Sequence, residues 1–316
     1  MRNNIRYIFL SILICLCAGC STYTAFYSKT HKEVVGENIL KIHRLDLSNQ
    51  NLTQLPANIE QIKDLRMINL SNNPDLDLSN TFERLSVHTN LEVLILDSLD
   101  INIIPESISQ FKNLKQISLA HNTDLLMDVT LSRLSELPIE FINLANNKLT
   151  ELPENIINLT SLKDLNLSYN NIKDPKTYKL LGQLPKLYSL WIDHNELETL
   201  PATICNLKQI RFLYIDHNNL AYIPDSMIDM KKLWVIHAGY NKFKKLPTVF
   251  AKMKVLLMVH INNNEITTIP KIYETQKYPL AGLLLDNNAF SKEEVERAKQ
   301  IFNGFFLLSF EQTVYK

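Results

Sequence analysis

Apolar residues return along this chain in a fixed order, apolar-x-x-apolar-x-apolar-x-x-Asn-x-apolar, whose places are numbered 1 to 11 below. Eleven copies follow one another at intervals of 23 to 26 residues. They begin at Ile42, Leu65, Leu91, Leu114, Ile139, Leu162, Leu187, Ile210, Leu233, Leu256 and Leu280. Positions 4 and 6 are apolar and their neighbours are mostly polar, which is the alternation of a strand with one buried face. Each copy therefore predicts one short β-strand.

The apolar residues after each strand have a different spacing, such as the three-to-four spacing of Leu152, Ile156 and Leu159, which indicates a short helix. One strand and one helical turn cannot bury their apolar sides alone, so copies must stack into a continuous core. The pattern predicts an α/β solenoid with a parallel sheet on its concave face and short helices or 3₁₀ turns on its convex face. The second, fourth and sixth copies are 26, 25 and 25 residues long, and we expect them to form fuller helices, for example over residues 175–183.

Internal repeats with this pattern resemble leucine-rich repeats. The resemblance covers roughly residues 39–290, and most copies add Leu-Pro or Ile-Pro after the asparagine, as at Leu152-Pro153 and Ile223-Pro224. This feature is similar to the L-P-x-x-I-x-x-L subclass, which is common in bacterial and intracellular eukaryotic members. The resemblance implies a horseshoe of about eleven repeats whose function lies on a surface rather than in a pocket.

The asparagine at position 9 is expected to hold the turn after each strand, because its amide both donates and accepts hydrogen bonds. Nine of the eleven copies have it, while Gln50 replaces it in the first copy and Leu99 in the third. Leucine forms no such bonds. We therefore expect the third turn to be distorted or filled with water.

The N-terminal segment has no repeat pattern. Its first six residues include two arginines, and an apolar run over residues 7–17 follows. A basic start with an apolar run of this length is typical of a secretory signal, and the run is short for a helix that spans a bilayer. The segment therefore predicts export from the cytoplasm.

The apolar run ends in Leu16-Cys-Ala-Gly-Cys20, which resembles a bacterial lipobox, although Cys17 stands where leucine is usual. The resemblance implies a bacterial lipoprotein with a signal peptide over residues 1–19, lipid on Cys20 and a membrane tether over residues 20–38. The protein would then be anchored in the cell envelope, facing the periplasm or the exterior, with the outer membrane as one option. An ordinary signal peptide and an uncleaved anchor are the alternatives.

The C-terminal residues 291–316 are predicted to cap the solenoid, because an open end would expose its core. Ser291 and Glu294 form a capping box that opens a helix. Gly304 ends this helix, and residues 305–310 are predicted to form a strand. The alternative is an exposed contact site formed by Phe305, Phe306 and Phe310.

Composition narrows the classes of function. Charges balance at 33 basic and 33 acidic residues, and loss of the signal peptide leaves 31 basic against 33 acidic. There is no basic stripe, so nucleic acid is not an expected partner. No glycine-rich phosphate loop, nucleophile elbow or metalloprotease motif occurs. We therefore expect a monomer that is not an enzyme and holds no cofactor.

The outward positions of the predicted sheet change in character along the chain. Position 5 is mostly small and polar in the first six copies and becomes Trp191, Tyr214, His237 and His260 in copies 7 to 10. Adjacent strands lie about 4.8 Å apart. These side chains are therefore predicted to form one contiguous patch of aromatic and imidazole groups.

We predict that this patch binds a macromolecular partner, most simply a protein, through the concave face of copies 6 to 10. The predicted contacts are Trp191, Phe212, Tyr214, Trp234, His237, Tyr240 and His260, with Arg211, Asp193 and Asp216 supplying polar specificity. The alternatives are ring stacking that only stiffens the sheet, a glycan-binding surface lipoprotein and a structural protein of the envelope.

Two further hypotheses concern the acidic and imidazole side chains of the patch. Asp193 and Asp216 with nearby imidazoles lack the ligand spacing of a known metal motif. We therefore expect that these side chains bind no metal ion and that the protein is not a metal-dependent enzyme. Histidines that titrate near neutral pH would instead make binding vary between pH 5 and 7.

Overall fold

The computed structural model describes residues 30–34 and 39–311. Within these residues each copy adds one strand to a sheet of 12 parallel strands, whose spatial order follows the chain. The strands are β1 Arg44–Asp46, β2 Met67–Asn69, β3 Val93–Ile95, β4 Gln116–Ser118, β5 Phe141–Asn143, β6 Asp164–Asn166, β7 Ser189–Trp191, β8 Phe212–Tyr214, β9 Val235–His237, β10 Met258–His260, β11 Gly282–Leu284 and β12 Leu307–Ser309. Eleven come from the copies and β12 from the cap, so the predicted solenoid is confirmed.

Helix length on the convex side follows the length of the copy. The three longer copies carry the α-helices α1 Leu78–Leu85, α2 Met127–Leu134 and α3 Pro175–Leu181, as predicted. Shorter copies carry the 3₁₀ turns Ile59–Gln61, Glu106–Gln110, Glu154–Asn158, Ala202–Asn206 and Asp225–Asp229, and later copies carry the short helices α4 Thr248–Lys252 and α5 Ile272–Thr275. Several of the prolines directly precede a 3₁₀ turn, as Pro153 and Pro201 do, where the missing N–H costs no hydrogen bond.

The hydrophobic core is continuous from Val34 to Phe302. Positions 1, 4 and 6 of the copies point into it, as Leu187, Leu190 and Ile192 show by their complete burial. Each buried aliphatic side chain contributes about 1.5–3 kcal/mol, and most of its contacts lie in neighbouring copies. Along the described stretch of the chain, no helix combines the length and the apolar character needed to cross a membrane.

The asparagine at position 9 links each copy to its neighbours. Asn218 Nδ2 donates to the carbonyl oxygens of Ile192 and Ile215, each at 3.1 Å. Its Oδ1 accepts from the backbone N–H groups of Asn195 at 2.9 Å and Leu197 at 3.0 Å. Comparable bonds recur at Asn73, Asn122, Asn170, Asn241, Asn264 and Asn288. One buried amide thus satisfies backbone groups in two successive turns, and these asparagines are scaffold, as predicted.

The third turn is not distorted, so that expectation was wrong. Ser98 has a φ of 53°, close to the 54° of His194 at the same position of copy 7. The backbone N–H of Leu99 donates to Asn122 Oδ1 at 3.1 Å. Asn122 Nδ2 donates in turn to the carbonyl oxygen of Leu96 at 2.9 Å. The turn tolerates Leu99 because the amide of the next copy serves its backbone groups.

Residues 30–34 extend the solenoid beyond its first copy. His31 forms an isolated parallel bridge with Leu45 of β1, and Val34 is buried against the first copy. This part of the predicted tether therefore packs on the repeat domain. The predicted signal peptide, Cys20 and the remainder of the tether lie outside the described residues, so their assignments stay predictions.

The other end is closed by helix α6 Lys292–Ile301 and strand β12. The side chain of Ser291 accepts a hydrogen bond from the N–H of Glu294 at 3.2 Å, which confirms the predicted helix start. Three phenylalanines pack on the core, namely Phe302, Phe305 and Phe310. Phe306 is 44% exposed, so it is the member of the predicted aromatic contact site that offers a surface.

Replacing Asn218 with alanine is expected to lower the free energy of unfolding by about 2–4 kcal/mol, because buried backbone groups in two turns lose their partner. The matched control is Asn303→Ala at an exposed position of the cap, where a change within about 0.5 kcal/mol is expected. Urea denaturation followed by circular dichroism measures both variants. Equal stability of the two variants would contradict the scaffold role.

Candidate functional site

The position-5 side chains of β7 to β10 form a row of stacked rings, here called the ring ladder. The rings of Trp191 and Tyr214 are 5.0 Å apart and inclined by 11°, and those of Tyr214 and His237 are 4.4 Å apart and inclined by 19°. His237 and His260 meet edge to face at 4.1 Å. The register of the parallel strands thus brings these four predicted residues together, and each ring is partly exposed.

The position-3 side chains of β8, β9 and β10 lie mostly buried beside the ring ladder. Phe212, Val235 and Met258 form a small apolar cluster, against which Tyr214 and Trp234 pack. Phe212 was predicted as a contact residue, but it is only 8% exposed. Its main effect is to support the neighbouring rings.

Arg211, at position 2 of copy 8, is held between two aromatic rings. Its guanidinium carbon lies 4.4 Å from the ring centroid of Trp234 and 5.5 Å from that of Tyr188, which are cation–π distances. The other arginines of the described residues each donate to an acceptor, namely Arg44, Arg66, Arg84, Arg133 and Arg297. No acceptor within the described chain faces Arg211, so its N–H groups are available to a partner. The sequence prediction did not include Tyr188.

A second row of rings, here called the rim stack, occupies position 8 of copies 6 to 9. Tyr169, His194, His217 and Tyr240 are stacked in that order, with centroids 4.0, 4.2 and 4.1 Å apart. All four have a φ between 49° and 56°, and this left-handed conformation costs a non-glycine residue about 1 kcal/mol. Ring contacts contribute about 0.5–1.5 kcal/mol per pair, which offsets that cost. Only Tyr240 of this stack was among the predicted contacts.

The aspartates at position 7 are engaged in the scaffold. Asp216 Oδ1 accepts from the backbone N–H of Gly239 in the next copy at 2.9 Å. Asp193 accepts from the hydroxyl of Ser168, and its Oδ2 lies 2.9 Å from His194 Nδ1. These bonds account for both carboxylates without a ligand. No group of three or more potential metal ligands is gathered anywhere in the described part of the protein.

The histidines of the ring ladder are neutral at physiological pH. Burial lowers the pKa of His237 to about 3, and the neighbouring His260 contributes to this shift. Burial also lowers the pKa of His260 to about 4. The expectation that these two imidazoles change charge between pH 5 and 7 is therefore wrong. They act as uncharged aromatic rings.

Asp164, at position 3 of β6, is a residue that the sequence analysis did not single out. The register places it between Phe141 and Ser189. The rings of Phe141 and Trp191 are 6.4 Å apart although β6 separates their strands, so they approach each other across β6. Burial raises the pKa of Asp164 to about 6, and its carboxylate has no hydrogen bond or ion pair within the described residues. The sequence signal for it is an acidic residue in a column that is apolar in most of the other copies.

Solved structures share this architecture. An internalin from Listeria monocytogenes str. 4b F2365 aligns with 84% of this chain and 83% of its own length, at 20% identity and a TM-score of 0.57. Toll from Drosophila, solved in complex with Spatzle, aligns with 87% of this chain at 21% identity and a TM-score of 0.65. TLR13 in its complex with ssRNA13 aligns with 87% of this chain at 18% identity and a TM-score of 0.65.

The alignments span 37% of the Toll chain and 43% of the TLR13 chain, less than half of either. No protein-family model matches this sequence, and no match to a curated protein was found. At identities of 18–21% the likeness concerns the fold alone. Together with the single parallel sheet and the repeated turns, it shows that the chain has the leucine-rich-repeat fold.

Replacing Asp164 with asparagine is expected to stabilise the protein at pH 7.5 by about 1–2 kcal/mol, after discounting a two-unit pKa shift for partial exposure. Because the folded-state pKa of Asp164 lies above the unfolded value, its protonated form favours folding, and that contribution is lost as the pH rises from about 4 through about 6. The gain should therefore be absent near pH 3.5. Chemical denaturation at both pH values measures it.

The matched control is Asp46→Asn on the same face of the sheet. Asp46 Oδ1 accepts from the N–H and hydroxyl of Ser48 at 3.1 and 2.7 Å. Asn69 makes the same two bonds to Ser71 in the next copy at 3.0 and 2.7 Å, so an amide is tolerated there and no gain is expected. If Asp164→Asn gave no gain at pH 7.5, the carboxylate would not be strained by burial.

Proposed function

We propose that this protein is a non-catalytic, membrane-anchored module that binds a protein partner through the concave face of copies 6 to 10. The observation that carries the proposal is a contiguous, mostly uncharged aromatic surface on adjacent strands. Continuous exposed surfaces of this type usually mark interaction sites, and aromatic residues and arginine supply much of the energy there. Because the sheet is rigid, little conformational entropy is lost on binding.

Stiffening of the sheet by ring contacts accounts for only part of this surface. It explains why the rings of the ladder stack, but it does not explain the aromatic area left in solvent. Tyr169 is 54% exposed and Tyr240 is 48% exposed. Nor does stiffening require Arg211, which is held between two rings with no acceptor in the described chain. These features favour a partner over a purely internal role.

A protein partner is favoured over the other classes. The Toll structure contains the protein Spatzle and the TLR13 structure contains ssRNA. In this chain acidic and basic residues balance, and Arg211 is the single arginine of the patch, whereas binding of a phosphate backbone needs many cations. A glycan ligand and a structural role in the envelope are the competing outcomes of the capture experiment below.

We also propose that lipid on Cys20 anchors the protein to a bacterial envelope membrane, with the repeat domain facing the periplasm or the exterior. The support is the sequence Leu16-Cys-Ala-Gly-Cys20 after a basic and apolar start. The anchor would thus restrict the module to partners at the same surface.

Changing Trp191 and Tyr214 together to alanine is expected to reduce partner capture at least tenfold, because the two rings form the start of the ring ladder. The immobilised full-length protein is exposed to detergent-solubilised membranes and growth medium of its own cells. Bound proteins are then quantified by mass spectrometry, and protease-resistant material is tested for sugar.

The matched control is the double variant of Asn143 and Asn166, which hold position 5 in copies 5 and 6. Their side chains accept from the N–H groups of Ala145 at 3.0 Å and Ser168 at 2.9 Å, so this control also loses local contacts and some stability. Capture by the control should fall much less than capture by the aromatic variant. Unchanged capture by the aromatic variant would show that the patch is not the binding site. Specific capture of sugar alone would favour the glycan alternative.

Changing Cys20 to alanine is expected to abolish labelling by a palmitate analogue and to move the protein from the membrane fraction to the aqueous phase. The attached acyl chains would supply the membrane affinity, about 0.8 kcal/mol per buried methylene. The control is Cys205→Ala, which removes the one free cysteine of the described residues and should keep the label. A wild-type protein without label, expressed in a bacterium that processes lipoproteins, would contradict the anchor.

A further inference from the structure

Two oppositely charged side chains on the concave face stand out because nothing in the described chain pairs with them. The other aspartates at the outward positions of the sheet all accept hydrogen bonds, namely Asp46, Asp97, Asp193, Asp216 and Asp286. Asp164 accepts none, although it is largely removed from water. Arg211 is the corresponding case among the arginines, since it contacts two rings and no acceptor.

The two charges lie close to each other on the same surface. Asp164 belongs to β6 and Arg211 directly precedes β8, so two strand spacings, or about 10 Å, separate them. Tyr188 directly precedes β7 between them. Burial raises the pKa of Tyr188, while the charge of Arg211 lowers it and that of Asp164 raises it. Both charges therefore act on the same phenol, yet no ion pair joins them.

Each charge has surroundings suited to a group of opposite sign. The rings of Phe141 and Trp191 approach each other across the strand that carries Asp164. A carboxylate flanked by aromatic rings combines ion pairing with cation–π attraction, which suits an ammonium or guanidinium group. Arg211 is fixed in orientation by its two rings, so its planar set of donors is prepared for a carboxylate.

We propose that Asp164 and Arg211 form a charge clamp, which binds a protein segment that carries one basic and one acidic side chain about 10 Å apart. The clamp rests on the proposed function and specifies the chemistry of the partner. An extended segment advances about 3.3 Å per residue and its side chains alternate between two faces, so the two side chains that face the clamp are two or four residues apart. The basic side chain lies beside Asp164 and Trp191, and the acidic side chain pairs with Arg211.

The test uses a library of random twelve-residue peptides displayed on phage and selected against the immobilised full-length protein. The wild type should enrich peptides with Lys or Arg two or four residues from Asp or Glu, at least fivefold over the unselected library. Asp164→Asn should remove the preference for the basic residue and keep that for the acidic one. Arg211→Gln should do the reverse, and Asp46→Asn should leave the selected peptides unchanged.

A charge-reversed protein with Asp164→Lys and Arg211→Glu provides the strictest comparison. It should enrich peptides in which the order of the acidic and basic residues is inverted relative to the wild-type selection. A purely structural role for either residue predicts no such inversion. Thermal unfolding of each variant confirms that the compared proteins are folded.

Failure of the clamp and failure of the proposed function give different results. Selected peptides that lose binding to the Trp191 and Tyr214 double alanine variant, but show no charge pattern, would overturn the clamp and leave the aromatic binding surface in place. Peptides that bind this variant as well as the wild type, or an unenriched library, would count against both.

Discussion

A buried asparagine amide in each turn fixes how one copy lies on the next, and the rest of the molecule depends on this contact. Asn218 bonds to backbone groups of its own copy and of the preceding one, so every turn has nearly the same shape. Side chains at one position of successive copies are thereby held in a column with the strand spacing. When the residue type at one position changes in successive copies, the chemical character of a continuous strip of the surface changes with it. This is how Trp191, Tyr214, His237 and His260 come to lie ring against ring.

The architecture could be predicted from the sequence because its causes are local and repeated. The alternation at positions 4 to 6 gave the strands, and the extra residues of three copies gave α1 to α3. The third turn could not be predicted, since the amide that serves it belongs to Asn122 of the next copy. Asp164 was missed because its distinguishing property is the lack of a partner, which is known only once the surrounding side chains are placed. The neutral state of His237 depends likewise on burial rather than on residue type.

On the concave face most rings and charged side chains contact one another, whereas the charged groups of Asp164 and Arg211 have no hydrogen-bonded or ion-paired partner in the described chain. Most of its rings stack, its position-7 aspartates bond to neighbouring turns, and its ladder histidines are uncharged. Such a surface costs little to dehydrate, because few polar groups on it must give up water without a replacement. We propose that Asp164 and Arg211 make this surface selective, because a partner with the complementary charges would pair with a carboxylate that burial destabilises. Such pairing would recover the free energy that the buried carboxylate costs the free protein.

The most direct test of this account is hydroxyl-radical footprinting of the protein with and without its captured partner. We predict that partner binding lowers the oxidation of Tyr188 and Trp234, which flank Arg211, severalfold. Tyr222, which is 53% exposed and lies beyond the strand of its copy, should react equally in both states. Protection at Tyr222, with unchanged reactivity at Tyr188 and Trp234, would place the partner elsewhere and contradict the central claim.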